Sequence, residues 1–255
     1  MRTTRCSLLL VALVLCAAAC RGRPDVPILG FHAVVDSPGR LDVTPTQFVA
    51  QLDALVAAGF HSVPLSALLD HADRATPLPE RPIVLTFDDG TADAIRVVLP
   101  ALRARGMVAT FFVVSSWIGD DEAHRSLHPA GADESSHPVL TWPEVRALHA
   151  AGMEIGSHSR THPRLPELDD KALLEELRGS RRELEAGLGA PIDLFAYPYN
   201  SVRARIEPVV IAAGYRAAVA GQDHGGRSRT ALYRIGVYRE TSPQELVGYA
   251  RAGTR

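Results

Sequence analysis

The protein is a chain of 255 residues in which 27 lysines and arginines nearly balance 29 aspartates and glutamates, for a formal net charge of −2. Nucleic-acid binding depends on neutralising phosphates with an excess of basic residues, so this balance argues against a nucleic acid as the main partner. Hydrophobic residues make up 46% of the chain and charged residues 22%, which is typical of a packed globular protein and argues against a disordered one.

The first 20 residues have the pattern of an export signal. Two arginines precede an apolar run over residues 7–20, which is shorter than the ~20 residues that a membrane-spanning helix needs. The alanines before Cys20 resemble a bacterial lipobox, in which Cys20 is lipidated and becomes the mature N-terminus. Plain cleavage after Ala19 and an uncleaved anchor are the alternatives. We expect a signal peptide at 1–20 and a periplasmic or cell-surface protein whose only membrane attachment is the lipid.

All three cysteines of the chain lie in this leader, at positions 6, 16 and 20. The body that follows therefore has neither a disulfide nor a thiolate metal site. Any transition metal must be bound by histidine, aspartate or glutamate.

From residue 26 onward, short apolar runs alternate with amphipathic stretches. We predict strands at Ile28–Val35, His61–Pro64, Ile83–Asp88, Val108–Val114, Glu154–Ser157, Leu194–Tyr197, Arg216–Val219 and Arg234–Tyr238. We predict helices at Thr46–Ala58, Ala92–Arg105, Pro143–Ala151, Asp170–Leu188 and Arg203–Ala213. This alternation is typical of an α/β protein with a parallel sheet, and roughly seven or eight such units favour a closed barrel. A doubly wound open sheet is the alternative, but no Gly-x-Gly-x-x-Gly follows the early strands.

One segment, residues 115–140, is polar and shows neither helical nor strand periodicity. It contains His124, His128 and His137, which we interpret as solvated loop residues rather than a separate metal site. Irregular segments of this length are often functional, so we expect a lid or a wall of the substrate groove here.

The first chemical motif is Thr86-Phe-Asp88-Asp89-Gly90, directly after a predicted buried strand. Barrel enzymes place their chemistry at the carboxyl ends of the strands. Because successive side chains on a strand point to opposite faces, one carboxylate can bind a metal while its neighbour addresses the substrate. The alternative is a turn that merely caps the following helix.

The second motif places His158 and His162 four residues apart at the end of another predicted strand. This spacing lets both imidazoles reach one cation, and two histidines with a carboxylate are a common ligand set for catalytic zinc. Taken alone, two histidines at this spacing are more often a chance arrangement on the surface than a metal site. Together with Asp89, the pair predicts a metal centre.

These motifs resemble those of the polysaccharide deacetylases with the NodB-homology domain, carbohydrate esterase family 4. The resemblance extends over residues 26–251 and implies a single catalytic domain with a deformed (β/α) barrel. It implies that Asp89, His158 and His162 bind the metal and that Asp88 is the catalytic base.

The segment Phe195-Ala-Tyr-Pro-Tyr199-Asn200 resembles the third motif of the family, which implies that the backbone N–H of Tyr199 helps to stabilise the oxyanion. Ala196 stands where many members carry an arginine that orients the base, and Asn200 replaces a glycine. The fourth motif would fall near residues 234–237 and lacks its usual aspartate. In the family this arginine and this aspartate form an ion pair. The absence of both is self-consistent, because either one alone would be a charge without a partner. The donor that orients Asp88 is therefore left unidentified.

The last motif of the family, Leu-x-Leu-x-His near the C-terminus, is absent. The segment Val26-Pro-Ile-Leu-Gly-Phe-His32 instead resembles the start of the poly-N-acetylglucosamine deacetylase branch, in which this motif is permuted to the front. First and last strands are neighbours in a closed barrel, so we expect His32 to be the general acid. A structural role for His32, with His224 as the acid, is the alternative.

The resemblance implies a metal-dependent hydrolase that removes N-acetyl groups from an N-acetylhexosamine polysaccharide, such as poly-N-acetylglucosamine, chitin-like or peptidoglycan glycan. Zn²⁺ is the expected ion, although Co²⁺, Ni²⁺ and Mn²⁺ accept the same ligands. We expect Trp117, Trp142 and Tyr197 to contact the sugar. Two alternatives are an O-acetyl esterase acting on xylan and a catalytically disabled, metal-containing glycan-binding lipoprotein.

Overall fold

The computed structural model describes residues 26–126, 137–221, 226 and 228–253. Within these ranges the strands are β1 (Ile28–Phe31), β2 (His61–Ser62), β3 (Pro82–Phe87), β4 (Thr110–Val113), β5 (Glu154–Ser157), β6 (Leu194–Ala196), β7 (Ala217–Ala220), β8 (Leu232–Tyr233) and β9 (Ile235–Gly236). The α-helices are α1 (Pro45–Ala57), α2 (Leu65–Arg74), α3 (Leu99–Arg103), α4 (Trp142–Ala150), α5 (Asp170–Leu188), α6 (Glu207–Ala212) and α7 (Pro243–Ala252).

Eight strands follow one path in the order β8-β7-β6-β5-β4-β3-β1-β9, and β2 pairs with β3 outside that path. Each strand pair is parallel. The two ends of the path, β8 and β9, are separated in the chain only by Arg234, so the sheet forms a nearly closed barrel. The predicted barrel is confirmed, and β1 pairs with β9 as expected of first and last strands.

The barrel forms because its strands are apolar on both faces. Every residue of β1, β4, β6 and β7 is buried, which is typical of parallel strands covered by helices. The helix boundaries follow local signals: α5 begins after Asp169, whose side chain accepts the Ala172 N–H, and ends at Gly189 in the left-handed conformation. Its bounds are those predicted from the sequence.

Apart from shifted boundaries, the structure differs from the predicted elements in three places. The predicted helix at 92–105 begins with a π-helical turn at Ala94–Val98, beside Pro100, which has no N–H to donate. The predicted strand at 234–238 is instead two short strands on either side of Arg234. Helices α2 and α7 were not predicted, although α7 starts with a capping box between Ser242 and Glu245.

No helix in the described ranges has the length and apolar character needed to cross a membrane. The predicted signal peptide, including Cys20, and ten residues of the irregular segment, 127–136, lie outside those ranges. The leader and its lipidation therefore stay predictions.

Candidate metal and active site

The carboxyl ends of β1, β3, β5, β6 and β9 surround a cavity of about 360 Å³, which is in the size range of small-molecule sites. Its lining includes all the predicted ligands, the predicted base and the predicted acid. These residues are Asp88, Asp89, His32, His158 and His162. Parallel strands end on the same side, so residues far apart in the chain meet here.

Asp89, His158 and His162 form a compact donor set. Their ligand atoms all lie within 4.8 Å of one another, and Asp89 Oδ1 is 3.5 Å from Nε2 of each histidine. Donors held about 2.0–2.2 Å from a tetrahedral ion lie roughly 3.4 Å apart, so the spacing suits one shared cation.

The tautomer of His158 supports this interpretation. Its Nδ1–H donates to the carbonyl oxygen of Ala196 at 2.8 Å, which leaves Nε2 with its lone pair directed towards Asp89. A lone pair facing a carboxylate oxygen is repulsive without a positive charge between them. The same carbonyl contact is the kind of outer partner that orients metal-binding histidines. The donor set therefore fits a divalent cation.

The backbone around this set is unusual. In the described part of the chain, seven residues other than glycine have positive φ, and five of them lie at the site. These five are Asp89 (68°), Ser159 (67°), His162 (61°), Tyr199 (56°) and Asn200 (50°). Such conformations cost free energy in side chains other than glycine and concentrate where function imposes a geometry.

Arg234 orients Asp88, which corrects the sequence analysis. Its guanidinium makes two contacts with the carboxylate: Nη1 donates to Oδ1 at 2.7 Å, and Nη2 contacts Oδ2. Nη1 also donates to Thr86 Oγ1 at 3.2 Å. Both charged side chains are about 97% buried. The ion pair that appeared to be lost is present, with its arginine supplied by the fourth-motif segment.

The electrostatics of Asp88 follow from this pair. Burial raises the pKa of Asp88, but the positive charge of Arg234 and the neighbouring imidazole of His158 lower it more, so the pKa lies below its ordinary value. Asp88 is therefore a carboxylate at neutral pH although it is buried.

Small neighbours make room for the arginine. Asn200 Oδ1 accepts a hydrogen bond from Arg234 Nη2 at 3.2 Å. A Cβ on Gly221 would lie 2.8 Å from Asn200 Cγ, and a Cβ on Gly30 would lie 3.2 Å from Arg234 Cδ. The asparagine that replaces the family's glycine thus belongs to the same network. The sequence did contain a signal for this contact, since Arg234 lies beside the last strand and a closed barrel pairs that strand with β1.

His32 follows β1 and lies beside the base, because the Asp88 N–H donates to the carbonyl of Phe31 at 3.0 Å. His32 Nδ1 is buried and has no hydrogen-bond partner among the described residues. Asp42, also buried, accepts hydrogen bonds from the Gly39 N–H at 2.8 Å and from His137 Nε2 at 3.1 Å. Burial raises the pKa of Asp42, but its contacts with His137 and Gly39 and the nearby His32 lower it further, to below its ordinary value. The reserve acid, at position 224, lies outside the described residues.

Two of the predicted sugar-contacting aromatics are not at the cavity. Tyr197 is fully buried and its hydroxyl donates to the Thr230 carbonyl at 2.8 Å, so its ring belongs to the core. Trp142 begins α4 and packs against Gly187 of α5. Both predictions were wrong because the sequence does not show which face of an element an aromatic occupies. Trp117 does lie at the site, with its ring centroid 5.2 Å from that of His162.

Comparisons with known proteins agree with this geometry. The family model described as polysaccharide deacetylase matches residues 75–218, more than half of the chain. YxkH of Bacillus subtilis (strain 168), which is named as a candidate polysaccharide deacetylase, is 25% identical over 217 residues, covering 83% of this chain and 71% of YxkH. The poly-β-1,6-N-acetyl-D-glucosamine N-deacetylase of Escherichia coli (strain K12) is 29% identical over 102 residues, which cover 40% of this chain and only 15% of that protein.

Two solved structures share the fold. The Streptococcus pyogenes deacetylase PplD, in complex with acetate, has a TM-score of 0.75 at 22% identity, over 88% of this chain and 97% of PplD. IcaB from Ammonifex degensii has a TM-score of 0.70 at 21% identity, over 89% of this chain and 97% of IcaB. The region matched by the family model contains the aspartate pair and the histidine pair, whereas His32 and Arg234 lie outside it. On the extent of that match, the chain belongs to the polysaccharide deacetylase family.

Proposed function

We propose that this protein is a divalent-metal-dependent hydrolase that removes N-acetyl groups from an N-acetylhexosamine polysaccharide at the cell envelope. The observation that carries the proposal is the cavity in which a compact His₂-carboxylate donor set lies next to a buried, ionised Asp88. The Escherichia coli relative, whose name gives poly-β-1,6-N-acetyl-D-glucosamine as its substrate, supports a polymer of this class.

Asp89, His158 and His162 would bind the ion. A divalent ion in such a site lowers the pKa of a water molecule towards ~7 and polarises the acetyl carbonyl. Zn²⁺ suits two imidazoles and a carboxylate, and Co²⁺, Ni²⁺ and Mn²⁺ suit them as well.

The remaining steps belong to side chains of this protein. Asp88, held as a carboxylate by Arg234, accepts a proton from the attacking water, and the two-point contact keeps its oxygens in a single orientation. His32, on the neighbouring strand end, donates a proton to the departing nitrogen. Tyr199 lines the same cavity and its backbone N–H is proposed to stabilise the oxyanion, a contribution that is typically ~10²–10³ in rate.

We also propose that residues 1–20 are an export signal with Cys20 as the lipidated residue, and that residues 26–251 are the catalytic domain. Incorporation of a labelled fatty acid into the wild-type protein but not into Cys20→Ser supports the anchor. Unlabelled wild-type protein with a free N-terminus after position 19 contradicts it.

The activity is tested by acetate release from β-1,6-linked N-acetylglucosamine oligomers and from chitooligosaccharides. Asp88→Asn should retain its metal and lose acetate release. Asp193→Asn removes the same charge before β6, at the opposite end of the barrel, and should leave the rate unchanged. Acetate released only from acetylated xylan would identify an esterase instead. Metal-loaded protein that binds the oligomers but releases no acetate would overturn the proposal.

A further inference from the structure

Two arginine–tyrosine pairs lie at the mouth of the cavity. The Arg164 guanidinium lies 4.3 Å from the ring centroid of Tyr199, and the Arg40 guanidinium lies 5.8 Å from that of Tyr238. All four residues line the cavity. Contact with an aromatic face holds a guanidinium in place while its N–H edges stay available to a ligand.

The rings of both tyrosines are exposed. Tyr199 is 48% exposed and Tyr238 is 38% exposed, and no other aromatic residue appears among the exposed large hydrophobic side chains of the described ranges. Gly236 permits the position of Tyr238, because a Cβ there would lie 2.4 Å from the tyrosine hydroxyl. Both tyrosine rings, each with an arginine against it, are therefore accessible from solvent at the cavity.

Neither arginine is needed to balance an acid of the protein. In the described part of the chain, Arg40 and Arg164 lie within ion-pair distance of no carboxylate, whereas Arg234 is paired with Asp88. The cavity lining has three arginines against two aspartates, a net charge of +1 with the histidines neutral. The chain as a whole has a net charge of −2. Positive charge is thus concentrated at the cavity.

The topology places the two pairs on opposite sides of the reacting centre. Arg164 and Tyr199 follow β5 and β6, whereas Arg40 and Tyr238 follow β1 and β9. In the sheet, β3, which is followed by Asp88 and Asp89, lies between these pairs of strands. A polymer that crosses the cavity mouth would pass one pair on each side of the acetyl group.

We infer that the glycan substrate is anionic: sugars next to the deacetylated one carry carboxylate or phosphate groups, which Arg164 and Arg40 bind on the two sides of the cavity. This inference rests on the proposed function and narrows its substrate class. A neutral N-acetylhexosamine polymer offers the two guanidinium edges only hydroxyl and acetamide oxygens, which bind a guanidinium more weakly than an ionised oxygen does. Carboxylate and phosphate oxygens match the planar fork of arginine.

The test compares substrates of equal length and different charge. The acidic substrate alternates N-acetylglucosamine with glucuronic acid, and the neutral one is a chitooligosaccharide. The wild-type protein should have a roughly tenfold higher kcat/KM on the acidic substrate, mainly through KM, and the preference should shrink as salt is raised. Arg40→Gln/Arg164→Gln should lose the preference, so that its kcat/KM values on the acidic and the neutral substrate become equal.

The matched control is Arg103→Gln/Arg251→Gln. Both of these arginines are exposed and lie in the last turns of helices α3 and α7 at the opposite end of the barrel, so the variant removes the same charge far from the cavity. It should behave as wild type on both substrates. Equal kcat/KM values for acidic and neutral substrates in the wild-type protein, or a preference that survives Arg40→Gln/Arg164→Gln, would overturn the inference.

A binding measurement separates this inference from the proposed function. Calorimetric titration with a galacturonate trimer and with N-acetylglucosamine 6-phosphate needs no hydrolysis. Binding of either probe that is at least tenfold tighter to wild type than to Arg40→Gln/Arg164→Gln supports an anion site, and the preferred probe identifies carboxylate or phosphate. Equal affinities overturn the anion site. Failure to release acetate from any substrate refutes the proposed function and leaves this result standing.

Discussion

Replacing Arg234 by glutamine tests whether the position of the base depends on an arginine outside the region that the family model matches. The variant removes a two-point contact with Asp88 in a pair whose side chains are 3% and 2% exposed. Loss of one partner from a buried ion pair costs about 3–5 kcal/mol of stability, because the other charge stays buried and unpaired. For catalysis, loss of such an orienting contact costs about 10²-fold in rate.

We expect Arg234→Gln to lower kcat for acetate release by about 10²-fold with little change in KM, since the arginine reaches the substrate only through Asp88. Loss of the positive charge raises the pKa of Asp88, so the acid limb of the pH–rate profile should move to higher pH. Arg216→Gln is the control, because it also breaks contacts with two carboxylates, Asp70 and Asp73, but precedes β7 at the far end of the barrel.

Two further variants separate positioning from loss of the fold. Arg234→Lys keeps the charge without the planar fork and should recover stability better than rate. Arg234→Ala leaves a space between Gly30 and Asn200 that free guanidinium can enter at millimolar concentration, and partial recovery of the rate is expected. Wild-type kcat and an unmoved pH profile in Arg234→Gln would refute the reasoning, as would full activity in Arg234→Lys.

Three other predictions concern the metal, the acid and the pH dependence of stability. Asp89→Asn and His158→Gln should lose most of the bound zinc in elemental analysis after dialysis, whereas Asp193→Asn should retain it; zinc retained by all three would disprove the ligand set. His32→Gln should slow release from N-acetylglucosamine oligomers by about 10²–10⁴-fold but spare 4-nitrophenyl acetate, whose leaving group needs no proton, and equal losses would exclude the acid role. Asp42→Asn should lower the unfolding free energy by about 1.5–3 kcal/mol at pH 7. Because the pKa of Asp42 is depressed in the fold, this difference should shrink as pH falls below about 4, and urea denaturation that shows a constant difference would contradict it.

The departures from the family pattern form one compensated set. Ala196 carries no side chain that could orient the base, but its carbonyl accepts the Nδ1–H of His158, a role that any residue at that position can fill. The guanidinium comes instead from Arg234, between the last two strands, and Asn200 Oδ1 accepts a hydrogen bond from its Nη2. The glycines at 30 and 221 leave the space that this arrangement needs. Together these residues argue for a relocated ion pair rather than for a disabled enzyme.

Much of this site was predictable from local patterns. The aspartate pair after a buried strand and the histidine pair after another predicted the donor set, because parallel strands deliver their carboxyl ends to one edge of a barrel. His32 was predicted from the resemblance of residues 26–32 to a last motif permuted to the front, and it lines the same cavity at the end of β1. Helix α5 was predicted to the residue, since Asp169 and Gly189 are strong local boundary signals.

What the sequence alone determined was therefore the class of fold and the residues able to bind a metal, since strand periodicity and donor spacing are properties of neighbouring residues. Only the tertiary structure decided that Arg234 orients Asp88, that Tyr197 is in the core and that Arg40 and Arg164 stand over exposed rings. Those facts depend on which side chains meet across the barrel, between positions as far apart in the chain as Arg40 and Tyr238. Contacts of that kind are set by packing and barrel closure, and no local pattern encodes them.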